Sequence, residues 1–400
     1  MKFLRKTLSF VLAMTCAMSF VACNDLLGGN SSESSSENPL FSSMFGEYSE
    51  SSTTSTIVSS QDSSSLEEDS SFEDSSSLEE DSSVEDSSSS EEEIVEEMSI
   101  HFLQLGNNKS GDCTLIKTGD TEVLIDAGST TGSAATIVPY IKNYCTDGVL
   151  EYVIATHGDT DHISAFVGGS SGAGIFDSFE CEIIIDSALT TKTTQIYKNY
   201  VTKRDAEVAA GATHYTSIEC WNEANGAQRS YAIGQTITME ILYQKYYENT
   251  TSNENNYSVC VMFTQGENHY LFTGDLEESG EKSLVASNTL PKCTLFKAGH
   301  HGSDTANTTT LLSVIQPEIV VACCCCGDQY EFPHQGFINN VAPYTDRVYV
   351  PKMMDKLMNG NIVVSSDGKT VDVQCSNNNI LLKDTDWFKA NRTMPSAWAA

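Results

Sequence analysis

Short runs rich in apolar and β-branched residues dominate the chain from residue 98 onward. Four of these runs predict strands: Ile100–Leu105, Cys113–Lys117, Glu122–Ile125 and Leu150–Ala155. Between the third and the fourth, Ser133–Cys145 carries Ala, Ile, Val and Tyr at helical spacing and predicts a helix. Because several strands come before the first long helices, the pattern argues against a simple doubly wound parallel sheet.

The rest of the chain alternates between the two kinds of element. Further strands are predicted at Ser230–Leu242, Ser258–Phe263, His269–Phe272, Cys293–Lys297 and Glu318–Ala322. Helices are predicted near Ile196–Ala210, Glu278–Ala286 and Thr308–Ile315. Strands separated by helices predict an α/β fold in which helices cover the sheets. Periodicity alone supports this layered class and nothing more specific.

The first 22 residues have the pattern of an export signal. A basic start is followed by the apolar run Leu8–Ala22, which is too short and too weakly flanked for a transmembrane helix. The run ends in Phe-Val-Ala-Cys23, which resembles the lipobox of bacterial lipoproteins, although Phe20 stands where Leu is usual. We therefore expect an extracytoplasmic protein, anchored to a bacterial cell membrane by lipid on Cys23. The alternative is a plain secretory signal.

Residues 23–97 predict a disordered linker. Between residues 31 and 97 there are twenty Asp and Glu and no Lys or Arg, and a twelve-residue unit at Ser63–Asp74 recurs at Ser75–Asp86. Such a stretch has too little apolar surface to offset its chain entropy, and its like charges extend it. We interpret it as a solvated spacer.

A folded domain is expected over residues 98–376, followed by a C-terminal extension at 377–400. Residues 98–400 carry 34 acidic residues (55 − 20 − 1) and 19 basic residues (22 − 3), a net charge of −15. This balance disfavours non-specific binding to nucleic acid.

Four consecutive cysteines, Cys323–Cys326, follow an apolar run. Because successive strand residues point to opposite faces, we interpret them as small core residues and not as one metal site.

The segment Thr156–His162 is the strongest chemical signal in the sequence. It reads THGDTDH and places two His and two Asp within six residues, directly after a predicted strand. Imidazole and carboxylate are the ligands of hydrolytic metal sites. A strand end followed by a tight loop lets such side chains converge on one point. A polar surface loop is the alternative, but this density of ligands favours a metal site.

This motif resembles the HxDxDH form of the metallo-β-lactamase motif found in the extracytoplasmic hydrolase domain of ComEC-like competence proteins. Other segments of the family pattern follow in the expected order: Gly111-Asp112, LIDAG at Leu124–Gly128, NNYSV at Asn255–Val259, TGD at Thr273–Asp275, KAGHHGS at Lys297–Ser303, Pro333-His334, Asn361–Val364 and Asp367-Gly368. The resemblance covers about residues 99–375. It implies an α/β fold of four αββα layers, with the metals at one edge of the two sheets.

The resemblance also implies a role for each matching residue. His157 and Asp159 would hold one divalent ion, Zn or Mn. Asp161 and His162 would hold a second, together with one His of the pair His300 and His301. Asp275 would bridge the two ions. Outer-shell roles fall to Asp126 and Asp112, and His334 would contact substrate or protonate the leaving group.

Two departures from the family pattern bear on these roles. Many zinc enzymes of this fold supply another His before the bridging Asp, whereas here His214 is the only His between His162 and His269. We interpret His214 as an ordinary strand residue, and likewise His101 and His269. Asp159 also replaces a His, which makes the first metal position rich in carboxylate and weak for zinc.

The sequence therefore predicts a membrane-tethered, metal-dependent hydrolase that uses a metal-activated water. A phosphodiesterase or nuclease is expected first, with extracellular nucleic acid as one candidate substrate. One alternative is a hydrolase of cell-wall or lipid head-group phosphoesters, as in phosphorylcholine esterases of this fold. Another is an inactive metal-binding surface module. No GxSxG elbow or Cys/His pair indicates a different nucleophile, and no protein partner is inferred.

Overall fold

The computed structural model of the protein describes residues 95–354 and 356–399. The expected signal segment, Cys23 and the linker up to residue 94 lie outside the described residues. In chain order the strands are β1 Met98–Phe102, β2 Thr114–Thr118, β3 Thr121–Ile125, β4 Val149–Ala155, β5 Gly168–Gly169, β6 Gly172–Ala173, β7 Glu180–Asp186, β8 Thr213–Thr216, β9 Ser230–Ala232, β10 Ile237–Leu242, β11 Cys260–Gln265, β12 Asn268–Phe272, β13 Leu295–Lys297, β14 Ile319–Val321, β15 Cys325–Cys326, β16 Val348–Tyr349, β17 Lys352–Met353, β18 Lys356–Leu357, β19 Ile362–Ser366 and β20 Val371–Cys375.

Eight α-helices and several short 3-10 helices join these strands in the described part of the chain. The α-helices are α1 Ala134–Ile141, α2 Thr160–Val167, α3 Gln195–Ala210, α4 Ser217–Asn222, α5 Glu278–Ser287, α6 Thr309–Ile315, α7 Gln335–Val341 and α8 Asp386–Asn391. Within the same described residues, no helix is both long enough and apolar enough to span a bilayer.

Two large mixed sheets form the centre of the fold. The first has the order β20-β19-β1-β2-β3-β4-β7-β8, and the second has the order β16-β14-β13-β12-β11-β10-β9. Each sheet is antiparallel on one side and parallel on the other: β3, β4, β7 and β8 run parallel in the first, and β12, β13, β14 and β16 run parallel in the second. Helices α1 and α2 pack on the outer face of the first sheet, and α5, α6 and α7 pack on that of the second.

Alternation along the strands builds three apolar layers. In β12, Tyr270 and Phe272 pack between the two sheets, whereas Leu271 points to the helices on the outer side. The layer between the sheets includes Phe102 of the first sheet, whose ring lies 6.0 Å from that of Phe272. A further layer packs α1 and α2 against the first sheet. The result is the expected αββα sandwich, which confirms the fold class.

Several sequence-based boundaries need correction. The single strand predicted over Ser230–Leu242 is wrong, because the chain turns at residues 234–236 and forms the hairpin β9–β10. The carboxylate of Glu96 accepts hydrogen bonds from the amides of Gln235 and Thr236 in this turn, a contact that strand periodicity cannot reveal. The helix predicted over Ser133–Cys145 ends at Ile141 as α1. Strand β7 and helices α2 and α4 were not predicted.

The described end of the chain is part of the packed domain. Residues 377–399, expected as an extension, place Leu382, Phe388 and Trp398 in the outer layer beside the second sheet.

The four-cysteine run is buried: Cys323 faces the layer between the sheets, and Cys324 and Cys326 face the outer layer. The side chains of these three cysteines thus diverge to two layers, as the alternation argument requires.

His101 lies on β1 as a buried structural residue. Its ring nitrogens pair with the hydroxyls of Tyr140 and Ser99 at 2.9 and 2.8 Å, and its ring packs edge-on against Tyr144. Burial lowers the pKa of His101 to about 4. The pKa of His101 is lower in the folded protein than in the unfolded chain. The contribution of His101 to the free energy of unfolding is therefore complete above about pH 6.5 and is lost as the pH falls toward 4.

We therefore predict that His101→Gln reduces the pH dependence of stability. When the pH is lowered from 7 to 5, the free energy of unfolding should fall by about 1–2 kcal/mol less in the variant than in the parent. Denaturant unfolding at the two pH values measures this difference, and titrating groups common to both proteins cancel. His269→Gln, at a partly exposed position, is the control and should change the slope less. If the free energy of unfolding depends on pH equally in His101→Gln and in the parent, the lowered pKa of His101 is refuted.

Candidate metal centre

The candidate site lies where the parallel strands of both sheets end. In the first sheet, β3 ends just before Asp126 and β4 ends two residues before His157. In the second sheet, β12 ends three residues before Asp275, and β13 ends at Lys297, four residues before His301. The carboxyl ends of parallel strands meet at one edge, so segments far apart in sequence deliver polar side chains to the same place.

The segment Thr156–His162 turns sharply from β4 into α2. Asp159 is the N-cap residue of α2 and has an extended backbone (φ −73°, ψ 147°). Its carbonyl accepts hydrogen bonds from the amides of His162 and Ile163 at 3.0 and 3.1 Å. Asp161 and His162 therefore occupy the first helical turn, while His157 precedes the turn. This local geometry explains why the spacing of the motif brings its side chains to one point.

Gly128 allows this turn to pack closely against the end of β3. A Cβ atom at Gly128 would lie 1.5 Å from the carbonyl oxygen of Asp161. The neighbouring backbone groups are hydrogen bonded: the amide of Asp112 donates to the Asp161 carbonyl at 3.1 Å, and that of Ala127 to the His162 carbonyl at 2.7 Å. The sequence LIDAG thus needs its glycine for close approach of two backbones.

Four side chains place ligand atoms around one buried point. Nε2 of His162 lies 3.1 Å from Oδ2 of Asp275. Nε2 of His301 lies 3.3 Å from the same oxygen and 3.3 Å from Oδ2 of Asp161. The side chains of His162, His301 and Asp275 are at most 3 % exposed. The histidine Nε2 atoms nevertheless have no hydrogen-bond partner.

These residues fit a divalent metal ion. The Nε2 atoms of His157, His162 and His301 are buried without a hydrogen bond, although carboxylate oxygens lie 3.1–3.5 Å away. A metal ion between the nitrogens and the carboxylates would satisfy both kinds of group. Ligands bonded to a metal at about 2.0–2.1 Å in a tetrahedron lie roughly 3.3 Å apart. The separations of 3.1–3.3 Å from Asp275 to His162 and His301, and from His301 to Asp161, match that edge length.

Outer carboxylates hold the two central histidines in orientation. Oδ2 of Asp126 lies 2.8 Å from Nδ1 of His162, and its carboxylate also accepts hydrogen bonds from the amide and hydroxyl of Thr156 at 2.7 and 2.8 Å. His301 pairs through Nδ1 with the carbonyl of Cys323 at 3.0 Å. With Nδ1 engaged in both rings, Nε2 is left to face the centre.

Asp112 belongs to this outer layer. Its Oδ1 lies 3.1 Å from Nδ1 of His301, and its Oδ2 lies 3.9 Å from Nδ1 of His162. Asp112 is close enough to His162, His301 and Asp275 to count as a fourth metal-ligand candidate. Because it approaches the outward nitrogens of the rings and forms an ion pair with buried Lys297, we assign it to the support of the ligands.

The charged groups of this cluster shift one another's pKa values. Burial alone would lower the pKa of His162 and that of His301, but Asp275 raises each well above its usual range, assisted by Asp126 and Asp112 respectively. Burial would raise the pKa of Asp275, but the surrounding histidines and Lys297 hold it well below its ordinary value. In the absence of another cation the histidines take up protons, and a metal ion would displace them.

His157 and Asp159 form a second, looser group. Nε2 of His157 lies 3.5 Å from Oδ2 of Asp159. The rings of His157 and His162 are 4.2 Å apart, so this group adjoins the first. The side chain of Asp159 is 28 % exposed, and its other oxygen, Oδ1, forms an ion pair with Lys192. The two side chains predicted for the first metal position therefore lie together, but at a longer separation than the donors of the other group.

The histidines of the pair His300 and His301 have different environments. His301 is buried in the cluster. The side chain of His300 is 23 % exposed, and its Nε2 lies 4.0 Å from Oδ2 of Asp275. Its Nδ1 is 3.1 Å from the hydroxyl of Thr305 and 3.4 Å from Oε1 of Glu277. The geometry selects His301 as the ligand and places His300 at the rim of the site.

His334 is engaged away from the cluster. Nδ1 lies 3.1 Å from Oδ1 of Asp304, and Nε2 lies 2.8 Å from the carbonyl of Tyr330. The ring of Phe332 packs against His334 at 5.0 Å and also against His300 at 5.6 Å. Both ring nitrogens of His334 thus have protein partners outside the cluster, whereas His300 lies 4.0 Å from Asp275.

His214 is also engaged elsewhere. It lies on β8, and its Nε2 is 2.8 Å from Oδ1 of Asp186 at the end of β7. The other oxygen of Asp186 accepts hydrogen bonds from Arg204 at 2.7 Å and Tyr200 at 3.2 Å. This arrangement matches an ordinary structural histidine.

Lys297 is a site residue for which sequence reasoning gave no role. Its side chain is 2 % exposed, and Nζ donates to the carbonyl of Gly274 at 3.0 Å, forms an ion pair with Asp112 and lies 3.5 Å from Oδ1 of Asp275. Burial would lower the pKa of Lys297, but the two carboxylates raise it. The signal was a lysine ending the apolar run Leu295-Phe296, where only a paired cation is tolerated.

Comparison with known proteins agrees with this architecture. Residues 106–168 match the model of the metallo-β-lactamase superfamily. The chain is 28 % identical over 244 residues to Recombination protein 2 of Haemophilus influenzae, covering 60 % of this chain and 26 % of the relative. It is 24 % identical over 241 residues to Competence protein ComA of Neisseria gonorrhoeae, covering 58 % and 28 %. The alignments thus span about a quarter of each relative.

Among solved structures, this chain is similar to the metallo-β-lactamase fold protein YhfI from Bacillus subtilis. The identity is 11 % and the TM-score 0.39, over 68 % of this chain and all of that one.

We predict that Asp126→Asn weakens binding of the metal ion about 10–100-fold, because His162 loses a charged partner that orients it. Asparagine tolerates the positive φ of 58° at this position, so the backbone should not be strained. Calorimetric titration of chelator-stripped protein measures the affinity. Asp120→Asn, in the exposed turn before β3, is the control. Equal affinity in the parent and Asp126→Asn would contradict the outer-shell role.

Proposed function

We propose that this chain, which matches the metallo-β-lactamase superfamily model over residues 106–168, is a metal-dependent hydrolase of phosphodiesters. The observation that carries this proposal is the group of Asp161, His162, Asp275 and His301, in which two buried imidazole nitrogens without a hydrogen bond face carboxylate oxygens at 3.1–3.3 Å. A structural metal site is closed by its ligands. Here Asp161 is 36 % exposed at the side chain, so the cluster opens to solvent on one side.

The proposed chemistry depends on how these residues are held. A divalent ion bound here would lower the pKa of a water molecule and polarise a phosphoryl oxygen. Asp126 and the Cys323 carbonyl keep two imidazoles directed at the centre. Lys297 and Asp112 balance the buried charge behind it. His300, at the rim and beside Glu277, is the side chain placed to pass a proton to a leaving group.

Phosphodiesters are the favoured substrate class for two reasons. Carboxylate ligands such as Asp161 and Asp275 suit the hard ions that assist phosphoryl chemistry. The relatives are named for recombination and competence, which favours nucleic acid as the source of the phosphodiester. The net charge of −15 over residues 98–400 (19 − 34) opposes non-specific attraction of nucleic acid. A phosphorylcholine-type ester of the cell surface is therefore the second candidate, and an inactive metal-binding module is the third.

We predict that purified protein, stripped with chelator and reloaded with Zn²⁺ or Mn²⁺, hydrolyses a generic phosphodiester. Asp161→Ala and His162→Ala should each lower the rate at least about a hundredfold, as expected for loss of a preorganised charged group. Initial rates with bis(p-nitrophenyl) phosphate measure this.

His269→Ala serves as the matched control, since this histidine lies on β12 away from the cluster and pairs with the hydroxyl of Thr264. Activity that survives both substitutions at the cluster would refute the assignment. A panel that includes single-stranded DNA and glycerophosphocholine separates the first two candidates. Stoichiometric metal without turnover on any member of the panel would support the inactive module.

We also propose that the domain is tethered outside the cell through lipid on Cys23. The motif Phe-Val-Ala-Cys supports this, and the acidic stretch that follows would act as a spacer. If residues 24–97 act as a flexible chain, their root-mean-square end-to-end distance is roughly 50 Å, because it grows as about 5–6 Å times the square root of the number of residues.

We predict that Cys23→Ser moves the protein from the membrane fraction to the soluble fraction, as measured by fractionation. Retention of the variant in the membrane fraction would show that the anchor lies elsewhere.

A further inference from the structure

The loop between β7 and α3 is fixed onto the metal-binding turn by Glu254. One oxygen of Glu254 accepts hydrogen bonds from the hydroxyl of Thr190 at 2.6 Å and from the amide of Gly158 at 3.0 Å. The other accepts from the amide and the hydroxyl of Thr191 at 2.5 and 2.7 Å. Glu254 is only 5 % exposed. One buried carboxylate thus joins the loop to the turn that carries His157 and Asp159.

This attachment places Lys192 on the first metal position. Nζ of Lys192 forms an ion pair with Oδ1 of Asp159, while Oδ2 of Asp159 faces Nε2 of His157 at 3.5 Å. The stem of Lys192 runs over Gly158, where an added Cβ would lie 3.1 Å from its Cγ. The Lys192 side chain is 25 % exposed, so its ammonium is both anchored and accessible to a solute.

The ligand sets of the two positions are unequal. The position formed by Asp161, His162, Asp275 and His301 has four donors, linked by separations of 3.1–3.3 Å from Asp275 to each histidine and from His301 to Asp161. The other has His157 and Asp159, and the charge of Asp159 is already balanced by Lys192. His214, which could have completed it, is paired with Asp186. A divalent ion there would lack donors and would meet a fixed positive charge.

We propose that the Lys192 ammonium serves as the second cation of this centre. The protein then binds one divalent ion firmly at the four-donor position. Lys192, held by Asp159, occupies the place of a second ion and binds an anionic oxygen of the substrate phosphate. The phosphate part rests on the proposed function, and the count of metal ions does not.

A different role for Lys192 predicts the opposite result. If its only task were to orient Asp159 as a metal ligand, removal of Lys192 would loosen the second ion. If Lys192 takes the place of that ion, its removal relieves the repulsion and frees Asp159 to bind, so the second ion binds more tightly. The sign of the change in affinity distinguishes the two roles.

The first test counts metal ions in the full-length chain. Chelator-stripped protein is titrated with Mn²⁺ and, separately, with Zn²⁺ in a calorimeter, and bound metal is counted by elemental analysis after gel filtration. The parent should retain one ion. Lys192→Gln should bind a second ion at least about tenfold more tightly than the parent does, because a like charge near the ion is removed. Lys192→Arg, which keeps the charge, should behave as the parent.

Lys198→Gln is the matched control, since Lys198 is an exposed lysine on neighbouring α3. It should leave both affinities unchanged. Two ions bound with equal affinity by the parent, or an unchanged or weakened second ion in Lys192→Gln, would overturn the proposal. Circular dichroism confirms that each variant is folded.

The second test measures binding of inorganic phosphate to the one-ion form. Lys192→Gln should weaken phosphate about tenfold, because a charge-assisted hydrogen bond is lost, while Lys192→Arg should restore most of the affinity. Unchanged phosphate affinity in Lys192→Gln would overturn the substrate part. Neither measurement requires turnover. A protein that binds one ion and phosphate as described but hydrolyses no phosphodiester would refute only the proposed function.

Discussion

The burial of Asp275 is the constraint on which the rest of the centre depends. A carboxylate that is 2 % exposed needs positive charge on every side, because an unpaired buried charge costs several kcal/mol. His162, His301 and Lys297 surround it, at 3.1, 3.3 and 3.5 Å. These groups come from both sheets. The requirement to neutralise one carboxylate therefore ties the two halves of the sandwich together at the edge where a metal ion would add the missing charge.

The symmetry of the two sheets explains why the groups meet at this edge. Each sheet has a parallel half, and the parallel strands of both end on the same side of the fold. The strands themselves are apolar, so polar residues begin only where they end, as at Asp126, His157 and Lys297. The layers of helices and the core between the sheets hold these ends apart from solvent. Short backbone contacts at Gly128 then set the distance between the metal-binding turn and β3.

The unequal character of the two metal positions changes the interpretation of Asp159. From the sequence, a carboxylate in place of a histidine suggested a position that favours harder ions. In the structure one oxygen of Asp159 pairs with Lys192 and the other faces His157, and the buried carboxylate of Glu254 fixes the loop that carries Lys192. Hardness of the ligand therefore matters less than the charge beside it. A centre of this kind would combine one divalent ion with an organic cation.

The sequence by itself determined the class of fold and the types of ligand. Strand and helix periodicity indicated the layered arrangement, and the six-residue span from His157 to His162 has a geometry set almost entirely by one turn, so its ligands could be read directly. The tertiary structure alone decided which of His300 and His301 is buried, that both nitrogens of His334 are already engaged, and that Lys192 reaches Asp159. The physical reason is distance along the chain. Spacing within one turn fixes directions of side chains, whereas contacts between separate loops depend on how the sheets pack.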